Sequence, residues 1–178
     1  MCQLIARRVS VFITLFVVSL LYGCATGASS VSMAVSSSES PLSISEELKG
    51  KVSIRNVSGG KETNPMMASQ VDSSAFESAL SQSLRASGFE SIGRLGDFFV
   101  DAELQALSQP MFGLTFDVTS TVRYTVEGQG KRKIFPITAV GTATTSDALA
   151  GYERLRIANE KSIKANIKLF LKELSLGL

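Results

Sequence analysis

The sequence predicts an α+β fold: a two-layer sandwich in which a mainly antiparallel four-stranded sheet carries two helices on one face. The elements follow one another in the order β-α-β-β-β-α within residues 48–178. Three observations support this prediction. Four segments alternate apolar and polar residues, two longer segments repeat apolar residues at a helical period, and glycine or proline separates them. One-sided strands and amphipathic helices complement each other when the helices cover a single sheet face.

The strands are marked by a two-residue period. The first is expected at residues 51–57 and the second from Phe98 onwards. The third is the longest, because apolar residues alternate with mostly polar ones from Phe112 to Val126. An alternation of this length indicates a strand with one packed face and one polar face, as in an antiparallel sheet covered on one side.

A glycine turn at residues 128–130 leads into the fourth strand, at residues 133–144. Pro136 has no backbone N–H to donate, so we expect this strand to lie at an edge of the sheet or to carry a bulge. A free edge can pair with another chain, which makes it a candidate for strand addition.

Two helices are predicted, at residues 75–87 and 148–174. In the first, Ser74 and Glu77 have the spacing of a capping box, and Gly88 stands where a helix ends in a left-handed residue. The second has an apolar face made of Ile163, Ile167, Phe170, Leu171 and Leu174.

The first 23 residues have the features of a bacterial lipoprotein signal peptide. Arg7 and Arg8 precede an uncharged, mostly apolar run at residues 9–21. This run is too short to span a bilayer, which needs about 20 apolar residues. Gly23 and Cys24 then complete a sequence that resembles a lipobox. We expect export by the general secretion route and cleavage between these two residues.

Cys24 is therefore the predicted lipid attachment site and the mature N-terminus. Its thiol would carry a diacylglyceryl group and its α-amino group an acyl chain such as palmitate, and no other cofactor is expected. Ala25 follows it instead of aspartate. By resemblance to Gram-negative lipoprotein sorting, this places the protein on the periplasmic face of the outer membrane.

The mature chain would be formally neutral, with 16 basic and 16 acidic side chains, because Arg7 and Arg8 leave with the signal peptide. Its charge gives no reason to expect nucleic-acid binding. The chain has no histidine, and acylation of Cys24 would leave no free thiol. These absences remove Ser-His-Asp and Cys-His catalysis and the usual zinc ligands, so we expect neither an enzyme nor a metal site.

Residues 24–47 are predicted to form a flexible linker that begins with the lipidated cysteine. Residues 25–45 contain nine serines and no sustained apolar period. Such a segment cannot bury enough apolar surface to offset its ordering entropy. A random coil of this length reaches about 25 Å r.m.s., which would let the domain stand off the membrane. Residues 48–178 would then form a single periplasmic domain.

Carboxylates are the remaining candidates for catalysis. Asp101, Glu103 and Asp117 fall on the polar face of the predicted sheet. Two of them in a cleft, about 5–10 Å apart, would suit glycoside hydrolysis. We expect solvated cross-strand charges instead. Arg156 and Glu160, one turn apart on the last helix, are likewise expected to form a surface ion pair at the rim of the core.

The polar sheet face and the hairpin tip are the predicted binding surfaces. Threonine-rich strands without a covering layer offer room for lateral docking of a protein or envelope component. A basic hairpin tip suits anionic lipid or lipopolysaccharide, although simple solvation is the commoner role. The candidate binding residues are Thr115, Asp117, Thr119, Thr121, Arg123, Lys131, Arg132 and Lys133.

The pattern as a whole resembles the small YajG-like lipoproteins of Gram-negative outer membranes. The resemblance rests on the strand at residues 52–54, the helix at 76–87 with its Ser-Gly-Phe ending, and the alternation at 112–126. It extends to the closing helix with Asn159 and Asn166. That family has no agreed activity, so the resemblance implies only the acylated cysteine.

The predicted function is that of a non-enzymatic, membrane-anchored envelope lipoprotein that binds a partner through its sheet face or edge. An auxiliary lipoprotein of an envelope transport or export system is the alternative, because the topology is also reminiscent of such proteins. An envelope hydrolase or transferase would require a deep cleft lined by Asp101, Glu103 or Asp117.

Overall fold

The computed structural model describes residues 26–40, 43–63 and 69–178, so the predicted signal peptide and Cys24 lie outside the described residues. Short 3-10 turns occur at Ser37–Glu39 and Ile92–Arg94. Within the described ranges, no helix has both the length and the apolar character needed to cross a bilayer. The helices and strands are α1 (Ser30–Met33), β1 (Val52–Ser58), α2 (Ser73–Ala86), β2 (Phe98–Ser108), β3 (Phe116–Gly128), β4 (Lys131–Ala143) and α3 (Gly151–Ser175).

The four strands form one sheet in the order β1-β2-β3-β4. β1 pairs with β2 in parallel, and α2 connects them, whereas β2–β3 and β3–β4 are antiparallel. Both α2 and α3 contribute to one apolar core on a single face of the sheet. The α+β fold, the element order and the mainly antiparallel sheet are therefore confirmed.

The ends of α2 differ in how well they were predicted. Asp72 is the N-cap, because its carboxylate accepts from the backbone N–H of Ala75 at 2.8 Å. The predicted capping box is wrong, since Ser74 lies inside the helix and donates its hydroxyl to Asp72. At the other end Gly88 has φ +77°, and the amide of Phe89 reaches back to the carbonyl of Leu84 at 2.9 Å. This is the predicted left-handed ending.

β3 begins at Phe116, four residues later than the alternation predicted. Phe112 and Leu114 lie in the preceding loop and are exposed. The physical reason is the lack of neighbours, because the β3–β4 ladder ends at Phe116 opposite Ala143. An alternating sequence does not form a strand where no neighbouring strand is available to pair with it.

Tyr124 lies at the centre of the core, in the middle of β3. Its ring stacks on Phe170 of α3 at a centroid distance of 3.9 Å and meets Phe76 of α2 edge-on at 6.4 Å. The buried hydroxyl donates to Asn166 at 3.0 Å, so its polar end is satisfied. One side chain thus joins the sheet to both helices.

α3 approaches the sheet very closely at Gly141 of β4. A Cβ added to Gly141 would lie 2.1 Å from the amide nitrogen of Ser162 and 2.4 Å from the carbonyl oxygen of Ala158. Next to this contact, the Asn166 amide donates to the backbone carbonyls of Ser120 (3.2 Å) and Ile137 (3.0 Å). The helix is therefore held by backbone-to-backbone packing and by side-chain hydrogen bonds to two strands.

The serine-rich segment packs on the domain, so the prediction of a flexible linker is wrong for residues 26–40. Met33 and Val35 are 0% and 1% exposed and belong to the main core. The backbone amide of Val35 donates to the Ser83 hydroxyl of α2 at 2.9 Å. Three apolar side chains spaced among the serines of this segment are buried in the core, namely those of Ala28, Met33 and Val35.

Arg156 and Glu160 of α3 do pair, at 2.5 Å, but the expectation of a surface pair is wrong. Glu160 is only 5% exposed, and its carboxylate also accepts from the backbone amide of Ser29 at 2.7 Å. The pair therefore lies beneath the docked segment. It satisfies a backbone donor of that segment and fixes where the segment meets α3.

Met33→Ala tests whether the segment is docked. We expect the free energy of unfolding to fall by about 2–5 kcal/mol, because the substitution leaves a cavity in the core. Val31→Ala is the matched control, since Val31 lies in the same short helix and is 72% exposed. Its effect is expected to stay within about 0.5 kcal/mol. Urea unfolding measures both, and equal stabilities of the two variants would contradict docking.

Candidate partner-binding surface

The outer face of the sheet has no covering layer among the described residues, and four of the eight predicted binding residues project from it on β3. Asp117, Thr119, Thr121 and Arg123 alternate with core residues along β3 and project outward. Thr115 is exposed just before the strand, so it is not part of the ladder. The remaining three form the first residues of β4: Lys131, Arg132 and Lys133.

The charges on this face are largely paired with one another. Arg55 of β1 contacts the carboxylates of both Asp101 and Glu127. Hydrogen bonding to Asp101 and then to Glu127 raises the pKa of the Arg55 guanidinium. Arg123 lies 3.5 Å from Glu103. The face therefore presents a solvated network of neutralised charge.

Of the three candidate carboxylates, Asp101 and Glu103 lie side by side on the outer face of β2, whereas Asp117 lies apart from them. Asp101 and Glu103 share a shallow depression of about 380 Å³. Asp117 lies six residues along β3 from Arg123, the partner of Glu103, or about 20 Å away at 3.3 Å per residue. It accepts instead from the hydroxyl of Thr142 at 2.6 Å. These positions match the expected cross-strand charges.

The basic residues of the hairpin tip are all engaged within the domain. Lys131 pairs with Glu47 at 2.5 Å, and Arg132 pairs with Glu127 at 3.1 Å. Lys133 donates to the carbonyl oxygen of Gly177 at 2.9 Å and lies over the ring of Phe135. The tip therefore offers less unpaired positive charge than the sequence alone indicated.

β4 is an edge strand, as Pro136 predicted, and no other strand in the described ranges pairs with its outer side. Gln129 and Gly130 both have positive φ, of 50° and 76°, which is the type I′ turn of a two-residue hairpin. The hairpin sets the pairing, so alternate residues starting from Lys131 bond to β3. The backbone groups that point outward belong to Arg132, Ile134, Pro136, Thr138, Val140 and Thr142.

An apolar groove of about 570 Å³ runs between β4 and α3. Val140 and Leu169, which line it, are 56% and 42% exposed. A second hollow of about 450 Å³ continues it past Pro136 and shares Thr138 and Leu169 with it. We call the outward side of β4 together with these hollows the edge groove. Its first hollow is lined by Glu39, Ser40, Thr138, Ala139, Val140, Ala165, Lys168, Leu169 and Lys172.

The first hollow of the edge groove carries positive charge, whereas the second is lined by Lys133 and Glu173. Within the described residues, Lys168 and Lys172 have no ion-pair partner. Glu39 at one end is already paired with Lys164 at 2.9 Å, and this hydrogen bond, helped by Ser36, lowers the pKa of Glu39 to about 2. A segment lying in the first hollow would therefore meet two lysines that have no ion-pair partner among the described residues.

Sequence reasoning found the free edge but missed the groove. Leu169 lies outside the apolar face of α3, and Ile134 and Val140 stand on the polar side of β4. The sequence did contain a signal for the groove, because these apolar residues stand at positions where the alternation predicts polar ones. Recognising that they meet requires the packing of α3 across β4.

Comparisons with known proteins identify no family. No family model matches the chain, and neither does any curated protein. Among solved structures, the chain is similar to the hypothetical protein CT253 from Chlamydia trachomatis, with 14% sequence identity and a TM-score of 0.44. The match covers 71% of this chain and 93% of that one. Similarity at this level says nothing about activity.

The free edge can be tested by hydrogen exchange. The amides of Thr138, Val140 and Thr142 are expected to exchange about a thousandfold or more faster than those of Ala139 and Gly141, because only the latter two bond to β3. The neighbouring residues serve as internal controls in one NMR measurement. Uniform protection along β4 would contradict a free edge.

Proposed function

We propose that this protein is a lipid-anchored, non-enzymatic envelope lipoprotein that binds an extended segment of a protein partner along β4. The observation that carries the proposal is the edge groove, where unpaired backbone groups run beside an apolar hollow of about 570 Å³. An added strand would gain backbone hydrogen bonds from β4, and its alternate side chains would enter the hollow.

The edge is a better binding surface than the sheet face. Charged groups on the face already have partners, such as Arg55 with Asp101 and Glu127. A partner would have to displace these pairs for little gain, since exposed pairs contribute about 0–1 kcal/mol. At the edge, exposed Val140 and Leu169 gain by burial and the backbone groups gain partners.

The charge of the groove specifies the partner further. Lys168 and Lys172 favour a segment that combines apolar residues at alternate positions with aspartate or glutamate facing α3. Such a segment belongs to a protein, and a component of an envelope transport or export system fits this description.

The proposed location follows from the N-terminal signal. Acylation of Cys24 after general secretion would attach the chain to the periplasmic face of the outer membrane. One acyl chain binds membranes only marginally, but three acyl chains hold a protein there stably. Partner binding then takes place at the membrane surface.

A photoreactive amino acid in the lipidated protein tests the edge groove. Placed at Val140, it is expected to form a discrete adduct with a partner in intact envelopes. Placed at Glu103 on the outer face of β2, two strands away from β4, it is expected to form none. The adduct is detected by a mobility shift of the affinity-tagged protein. Equal labelling from both positions would contradict binding at the edge.

Backbone pairing is tested by Thr138→Pro in the Val140-labelled protein. This change removes one outward backbone N–H, and Pro136, two residues earlier, already lacks one. Loss of this hydrogen bond to the added strand and weakening of its neighbours should lower adduct yield about tenfold. Thr138→Val is the matched control, because it also loses the contact with the Thr121 hydroxyl but keeps the donor. Equal yields from the two variants would contradict strand addition.

A further inference from the structure

We propose that one end of the domain rests directly on the lipid surface in which Cys24 is anchored. We call this the loop end and define it by the two loops at residues 109–115 and 144–150. The inference rests on the proposed acylation of Cys24. It concerns how the domain is oriented and extends the function proposed for β4.

The loop end exposes large apolar side chains. Such side chains in one place indicate an interaction surface when they are not scattered singly. Aromatic and aliphatic residues of this kind enter the boundary between lipid headgroups and acyl chains. The exposed fractions are 85% for Met111, 85% for Phe112, 74% for Leu114 and 90% for Leu149.

Arg154 holds the two loops together. Its guanidinium donates to the carbonyl of Gly113 in the first loop at 3.3 Å and to that of Leu149 in the second at 2.6 Å. Arg154 is only 6% exposed and lies over the ring of Phe116. The apolar side chains of both loops therefore belong to one surface on a fixed support.

The docked N-terminal segment reaches the folded domain beside this same surface. The amide of Ala28 donates to the carbonyl of Gln70 at 3.1 Å. The side chain of Gln70 in turn donates to that of Gln109 at 3.1 Å. Gln109 precedes Met111 by two residues. Two hydrogen bonds thus connect the start of the docked segment to the first apolar loop.

The tether between the lipid and the domain is short. Cys24 is four residues before Ala28, so their Cα atoms are at most about 14 Å apart in any conformation. The stand-off of about 25 Å that a flexible linker would allow is therefore not available. Acyl chains on Cys24 bring the bilayer to the loop end.

The opposite end of the sheet also exposes apolar side chains, namely Ile92 and Leu95. They lie close to the start of β2, where Phe98 pairs with Gly128. β3 spans about 40 Å between the two ends at 3.3 Å per residue. The tether is short and starts beside the loop end, whereas the other end is about 40 Å away. The bilayer therefore covers the loop end only. The strands then point away from the membrane, and β4 faces sideways to a partner.

Fluorescent labels at the two ends test this orientation. The mature chain would hold no thiol besides the acylated Cys24, so Phe112→Cys and Ile92→Cys can each carry one environment-sensitive dye. Both lipidated variants are reconstituted into phosphatidylethanolamine–phosphatidylglycerol vesicles. Brominated lipid should lower emission at residue 112 about twofold more than at residue 92, since interfacial groups lie 5–10 Å deep. Iodide in the water should quench mainly residue 92.

The outcomes separate the orientation from the anchor. If the protein floats with the vesicles but both dyes respond equally to iodide, the anchor stands and the orientation is overturned. A dye at residue 112 that neither iodide nor brominated lipid quenches would mean that protein covers the loop end, which also overturns it. Failure of the wild-type protein to float would overturn acylation, and the orientation with it.

Discussion

The seating of α3 on the sheet at Gly141 is the constraint on which the rest of the structure depends. No side chain separates the helix backbone from β4 at this point, and Asn166 fastens the helix to two strands. The depth of this contact lets Tyr124 stack directly on Phe170. It also leaves the outer side of β4 uncovered beside Leu169. The core and the edge groove therefore follow from one close approach.

The same seating determines how the N-terminal segment is held. It fixes Glu160 beneath Ser29, while Asn159 of the same helix donates to the carbonyl of Ser69 at 3.0 Å. Gln109 donates to that carbonyl as well, at 2.9 Å. The segment is held by Glu160 at Ser29 and by the neighbouring residue of Ser69, because the carbonyl of Gln70 accepts from the amide of Ala28, so what composition describes as a linker is part of the domain. A lipid at Cys24 would then be joined to a rigid domain by only a few residues, which gives the bound domain a defined orientation.

Periodicity predicted the fold well because the spacing of apolar residues within each helix or strand indicates which of its faces is buried. The α2 ending at Gly88, the glycine turn and the edge position at Pro136 all depend on a few neighbouring residues. The errors concern contacts between distant residues. Serine-rich composition concealed Met33, whose burial depends on α2 and α3, and the alternation before Phe116 had no neighbouring strand. The edge groove joins α3 to β4 and has no local signature.

A lipid on Cys24, held next to the folded domain, underlies both the proposed location and the proposed orientation. The intact mass of the protein purified from membranes tests it most directly. We expect a chain that begins at Cys24, with the added mass of one diacylglyceryl group and one amide-linked acyl chain, and an unacylated, uncleaved chain for Cys24→Ser. A wild-type mass that equals the full unmodified sequence, or a mature chain that begins at another residue, would contradict it.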